Sequence, residues 1–167
     1  MRDSEALVCF VQNYGPLITA GAILFSAFIA LGAIYYNQVL SRRRATIDLV
    51  MHERMNPTLL AARKTVLELH SKDTDFSELA GKERANSDEA KAMLATLNAL
   101  EFAAAGIRQG AFDEKIFKLV YFSVVLRDWN AFKGFIEELR KSRNRPTLYQ
   151  EFQWLAERWQ KKPLNKL

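Results

Sequence analysis

The stretch Pro16 to Tyr36, PLITAGAILFSAFIALGAIYY, carries no charged side chain, and the triplet Arg42, Arg43, Arg44 follows it closely. At about 1.5 Å rise per residue, a helix of this length covers roughly 31 Å, close to the ~30 Å hydrocarbon thickness of a bilayer. A charge at its centre would cost about 2.5 to 3.5 kcal/mol on insertion scales, and none occurs between Glu5 and Arg42. The stretch therefore reads as a single membrane-spanning helix. The whole uncharged run, Ala6 to Ser41, would reach about 54 Å as one straight helix, too long to be all span. Gly15 and Pro16 are expected to divide it, because proline suits a first helical turn where its missing N–H has no partner to lose. Tyr14, Tyr35 and Tyr36 stand where interfacial aromatics belong.

Two other readings are weaker. Buried core helices of soluble proteins seldom stay uncharged for such a length or end in a run of arginines. A secretory leader wants a positive start and a shorter apolar core, whereas Asp3 and Glu5 here oppose Arg2. The positive-inside rule places Arg42 to Arg44 in the cytoplasm, giving a single-pass membrane protein with its N-terminus outside. The expected organisation is a short lead-in (1–13), a transmembrane helix with its interface (14–40), a juxtamembrane helix (41–56) and a cytoplasmic helical bundle (57–167).

Residues after the span suffice for one domain with its own core. The chain's formal charge is +5, and residues 41 to 167 carry +6, since Arg2 is outweighed by Asp3 and Glu5 before them. Beyond the triplet, the excess lies in Arg140, Lys141, Arg143, Arg145, Lys161, Lys162 and Lys166. Beside a membrane, such charge favours anionic lipid over nucleic acid, at about 1 kcal/mol per nearby cation. The chain has one cysteine, Cys9, so no disulfide framework or cysteine-based zinc site exists within one molecule.

Along the chain, Ser41 to Met55 continues in helix formers and either prolongs the membrane helix or stands as a separate element. Asn56 and Pro57 stop it and start a helix over Pro57 to His70, since Asn caps well and Pro suits the first turn. Residues 71 to 86 read as a mobile polar connection with Phe76 and Leu79 as anchors and Gly81 as breaker. Asn86 to Glu89 has capping-box spacing and opens a helix over Ser87 to Gln109, ended by Gly110. Asp113 caps the next, whose apolar run Ile116 to Leu126 predicts burial nearly all round. Asn130 to Ser142 continues that helix or kinks near Trp129. A last helix, Thr147 to Lys161, carries the stripe Leu148, Phe152, Leu155 and Trp159. No segment alternates with period two, so the fold class is all-α, one transmembrane helix followed by a bundle of about five to six helices.

The sequence contains no phosphate loop, no zinc-protease motif and no nucleophile elbow. No cofactor or metal is expected. His52 and His70 fall on separate helices and read as ordinary surface histidines. Glu101 falls among Leu94, Leu97 and Ala104 on one helix face, an expensive place for an unpaired carboxylate. Asn98, Glu101, Arg127 and Asp128 therefore form the candidate polar set, read first as a buried network that fixes the bundle and second as a ligand site. If their helices pack antiparallel, Glu101 and Arg127 are offset by about 9 Å, so a direct pair requires side-chain reach to close the gap. Ala22, Ser26 and Ala30 put small residues at the spacing that lets membrane helices approach, the signal for a homodimer contact.

The runs ATIDLVMHERMNPTLLAARK, LNALEFAAAGIRQGAFDEKIFK and VLRDWNAFKGFIEELRKSRNRPTLYQEFQWLAE together resemble the bacterial and prophage-associated family known as domain of unknown function 4760. The resemblance covers residues 41 to 157. It implies an N-terminal membrane anchor before a cytoplasmic helical domain, brings no activity, and directs attention to Asn98, Glu101, Gly106, Arg127, Asp128, Trp129, Tyr149, Phe152 and Trp154.

Three functions follow as expectations. The first is a membrane-tethered, non-enzymatic interaction or regulatory module with a protein partner, such as an accessory subunit of a membrane complex. The second, motivated by the prophage association alone, is a phage-exclusion or host-defence component. The third is an enzyme or small-molecule binder with its site near Glu101 and Arg127.

Overall fold

The structure is a computed structural model that describes residues 2–72, 74–81, 84 and 86–164, with side chains from residue 12 onward. Cys9 and Lys166 lie outside the described side chains. The chain divides into two units, Met1–Ser41 and Arg42–Leu167. Helix α1 (Arg2–Met55) supplies the first and opens the second.

Its part from Gln12 on is long and apolar enough to cross a membrane, with a mean hydropathy of 2.3 in its most apolar window and none of that window buried. The expected division at Gly15 and Pro16 is absent, because Pro16 lies inside α1. A single proline removes one backbone bond from the helix, and the turns on either side carry the chain across. The Thr19 hydroxyl donates to the Gly15 carbonyl at 2.8 Å in the same turn. The segment 41–56 belongs to α1 as far as Met55.

Asn56 ends α1 in extended geometry, and its side chain accepts the Leu59 N–H at 3.1 Å to open α2 (Pro57–Ser71). The connection that follows is more structured than its polar composition predicts. A short 3-10 turn, Phe76–Ala80, is capped by Asp75, buries Phe76, Leu79 and Ala80, and packs on α4. Helix α3 (Asp88–Arg108) begins one residue later than the capping-box spacing suggests: Ser87 is the cap, accepting the Ala90 N–H at 3.1 Å. Gly110, at φ +72°, turns the chain after α3. Asp113 then caps α4 (Glu114–Ser142) through the Lys115 and Ile116 amides.

Helix α4 runs straight through Trp129. It is not buried all round: Phe117, Tyr121, Val125, Trp129, Phe132, Ile136 and Leu139 keep to one inward stripe, while Leu119 is 72% exposed. Composition registers all these apolar residues, but only those at helical spacing can face one core. Helix α5 (Gln150–Lys161) starts later than Thr147, since 147–149 form turns and Tyr149 adopts left-handed backbone at φ 56°. Its inward residues are Phe152, Leu155, Ala156 and Trp159, with Leu148 only partly buried. Helix α2 packs on α3, and α5 packs on both α3 and α4. The described residues contain no strand, so the fold is all-α.

Candidate functional site

The polar residues expected to act together are separated into two groups. In the first, Asn98 and Glu101, one turn apart on α3, face the start of α5. Asn98 Oδ1 accepts the Tyr149 hydroxyl at 3.1 Å. The Glu101 carboxylate accepts the backbone N–H groups of Phe152 at 2.7 Å and Glu151 at 3.3 Å. Tyr149 provides no side-chain cap, so Glu101 satisfies amides that α5 would otherwise leave open. Burial pushes the Glu101 carboxyl above its ordinary range; the two amides and Arg140 oppose that, and the Glu151 charge adds to it. Burial likewise raises the Tyr149 hydroxyl. Arg140 closes the group by donating to the Leu148 carbonyl and to Gln153 Oε1, each at 2.9 Å.

The second group lies along α4. Arg127 Nε donates to Oδ1 of its neighbour Asp128 at 2.9 Å. Glu101 and Arg127 thus each spend their hydrogen bonds elsewhere, and no pair forms between them. Asp128 is 2% exposed, and burial raises its carboxyl against the opposing charges of Arg127, His70 and Arg63. His70 Nε2 stands 3.6 Å from Asp128 Oδ1, beyond hydrogen-bonding distance, and is buried with no hydrogen-bond partner among the described residues. The ring packs edge-on to Phe76, with centroids 5.0 Å apart.

Arg63 links this region to α1. Its Nη2 donates to Glu53 Oε2 at 2.8 Å and its Nη1 to the Tyr121 hydroxyl at 3.2 Å. Burial opposes the charge on Arg63, but Tyr121 and Glu53 hold it firmly protonated. Glu53 is 3% exposed. A buried carboxylate needs such a partner, because its desolvation is not otherwise compensated. Arg63, Tyr121 and the buried setting of His70 were absent from the sequence-derived set. The available signal was Arg63 itself, flanked on α2 by the inward residues Leu59, Ala62 and Val66.

Beside these groups, the end of α1, the start of α2 and the middle of α3 enclose an open groove of about 430 Å³. Leu49, Leu59, Ala95, Ala99 and Phe102 line it, with Asn98, Asn56 and His52 among its polar atoms. Phe102 is 61% exposed and meets Phe112 edge-on with ring centroids 5.8 Å apart. Among the described residues, no group of three or more His, Cys, Asp or Glu side chains is arranged to hold a metal ion.

The residues assigned to the membrane interface and to helix contact lie on α1. Tyr14, Tyr35 and Tyr36 are exposed, as are Arg43 and Arg44, while Arg42 is half-buried. Ala22, Ser26 and Ala30 are exposed, and the Ser26 hydroxyl donates to the Ala22 carbonyl at 2.8 Å within the helix. Gly106, which the resemblance emphasised, lies against Phe112: a Cβ there would sit 2.2 Å from the ring.

No curated protein and no solved structure matches the chain. The sequence profile of one family matches residues 18–159, which takes in most of α1 and every helix through the core of α5. The chain therefore belongs to the family described as Domain of unknown function (DUF4760).

Proposed function

We propose that the protein is a membrane-tethered, non-enzymatic docking module whose helical domain receives an apolar helix face of a protein partner in the groove beside Phe102. One observation carries this reading. Glu101, Arg63 and Arg127 spend their hydrogen bonds on the protein's own helices, while Leu49, Leu59, Ala99 and the 61% exposed Phe102 line the groove between α1, α2 and α3. An apolar recess with a few polar atoms at its edge suits a helix anchored by spaced apolar side chains. The apolar first part of α1 supports attachment to a bilayer, and the arginines at 42–44 support a cytoplasmic domain.

A photo-crosslinking residue at Phe102, in the full chain in native membranes, tests the reading. The expected result is one discrete protein adduct that is absent when the same probe stands at Ser123, an exposed position on α4. Equal labelling at both positions, or adducts at neither, overturns it.

A further inference from the structure

Residues 42–46 are bound to one particular end of the helical domain. Arg43 Nε lies 3.5 Å from Asp113 Oδ2, and the Thr46 hydroxyl accepts the Asp113 N–H at 2.7 Å. A Cβ on Gly110 would stand 3.9 Å from Arg42 Nη1. The turn between α3 and α4 is therefore held at the residues that directly follow the apolar run. The few residues from Tyr36 to Arg42 reach at most about 21 Å even when fully extended. If that run spans a bilayer, this end of the domain lies close to the lipid surface whatever angle the span adopts.

The chemistry of that end is distinctive. Next to Asp113, Glu114 accepts Arg158 Nε at 2.8 Å and the Trp159 indole N–H at 3.1 Å, which brings the outer face of α5 beside the turn. On this face Trp154, half-buried, lies beneath two guanidinium groups, Arg108 at 5.3 Å and Arg158 at 5.7 Å from its ring centroid. Three acids nearby are paired, Asp113 with Arg43, Glu114 with Arg158 and Glu151 with Arg108, while Glu157, exposed on α5, accepts the Gln153 side-chain amide at 2.8 Å. Lys115, Lys161 and Lys162 are exposed and form no ion pair among the described residues. Lys118 donates to the Lys162 carbonyl and so holds the end of α5 against α4.

The other basic segment follows the C-terminal end of α4, opposite the α3–α4 turn: Arg143 stands at the cap of that helix and Arg145 comes after it. Arg140 is occupied internally, and Lys141 pairs with Glu138 at 2.7 Å.

We infer that the face formed by the α3–α4 turn and the outer side of α5, carrying Trp154, Lys115, Lys161 and Lys162, rests on the anionic surface of the bilayer that holds the anchor. The inference rests on the membrane-tethered reading. Cations near an anionic surface each add attraction that falls off within a Debye length, and a tryptophan with its ring beneath charged groups suits the headgroup level. The tether raises the local concentration of lipid, so modest attraction is enough to orient the domain.

The test uses the full chain reconstituted in nanodiscs of phosphatidylcholine, with or without phosphatidylglycerol, with bromine on the acyl chains to quench nearby tryptophan. Trp129 is 6% exposed and Trp159 is fully buried, so the signal lost on Trp154→Phe reports the proposed contact. Quenching of Trp154 should be at least about twofold greater in the anionic disc, and should fall to the neutral value at about 1 M salt, where the Debye length is about 3 Å. The triple variant Lys115→Glu, Lys161→Glu, Lys162→Glu should abolish the difference while Trp129 and Trp159 emission stays unchanged. Equal quenching in the two discs, with the chain still resistant to an alkaline wash, overturns the inference alone. Release of the chain by the alkaline wash overturns the tether and the inference with it.

Discussion

Glu101 Oε2 accepts the Phe152 N–H at 2.7 Å, so a carboxylate on α3 caps a helix that begins about fifty residues later in the chain. The need arises locally. Tyr149, at the cap position of α5, is left-handed and provides no acceptor, and the open amides at a helix start must be satisfied when they are buried. Glu101→Ala removes both acceptors and should destabilise the domain by about 1 to 3 kcal/mol in denaturant unfolding. Glu101→Gln keeps one acceptor oxygen and should lose less.

The same carboxyl makes a prediction in pH. Burial raises it above its ordinary value of 4.5, so the folded state holds this proton more tightly than the unfolded chain does. The resulting contribution is fully present below the unfolded value and is lost as pH rises through the higher folded value. Comparing unfolding of the wild type and Glu101→Gln from neutral pH down to about 4 should show the difference shifting toward the wild type as pH falls. A difference that shifts toward the glutamine variant on acidification would refute the assignment.

Glu114 should behave with the opposite sign. Its hydrogen bond to Arg158 holds the carboxyl below its ordinary value, with Trp159 and Lys118 acting in the same direction against burial. The stabilisation is present above the unfolded value of 4.5 and is lost as pH falls through the folded one. Glu114→Gln should therefore be less stable than the wild type at neutral pH, and the gap should close on acidification. The pair of variants gives opposite pH slopes in one instrument and one buffer series.

The Glu53–Arg63 bond joins α1 to α2 where both side chains leave water. Arg63→Met strands a carboxylate that is 3% exposed, and removal of one partner of a buried ion pair costs about 3 to 5 kcal/mol. Adding Glu53→Gln to that variant should recover part of the loss, because the uncompensated charge is then gone. A double variant as unstable as Arg63→Met would place the loss in packing against Tyr121.

The elements whose signals are local were legible. Asn56 with Pro57 and Asp113 each announce a helix start through a side chain that binds amides within its own first turn. Glu101 was legible as a residue in need of a partner, but the partner is a backbone amide, which no side-chain pattern encodes. Arg127 was read toward Glu101 across the bundle, whereas the adjacent Asp128 is within reach without any packing requirement. Pro16 looked like a boundary because proline disfavours helix interiors in general, and α1 nevertheless continues through it. The groove was invisible for a different reason. Phe102 belongs to a helix rich in apolar residues, and its 61% exposure depends on which neighbours α2 and α1 bring beside it.

Gly106 and Phe112 provide the most local test of the turn that holds the domain to residues 42–46. The Ala111 and Phe112 amides donate to the Gly106 carbonyl at 2.8 and 3.2 Å, folding the turn back over the end of α3. That places the Phe112 ring where a side chain on residue 106 would be, at 2.2 Å from a Cβ. Alanine is a better helix former than glycine by about 1 kcal/mol, so Gly106→Ala would stabilise the domain if the ring could swing aside freely. The ring is half-buried and packed on Phe102, and forced overpacking costs about 1 to 3 kcal/mol. Gly106→Ala should therefore be net destabilising in the wild type and neutral or stabilising in a Phe112→Ala background. A double-mutant cycle by denaturant unfolding measures the coupling directly. Additive effects of the two substitutions would mean that Phe112 does not occupy the space in front of Gly106.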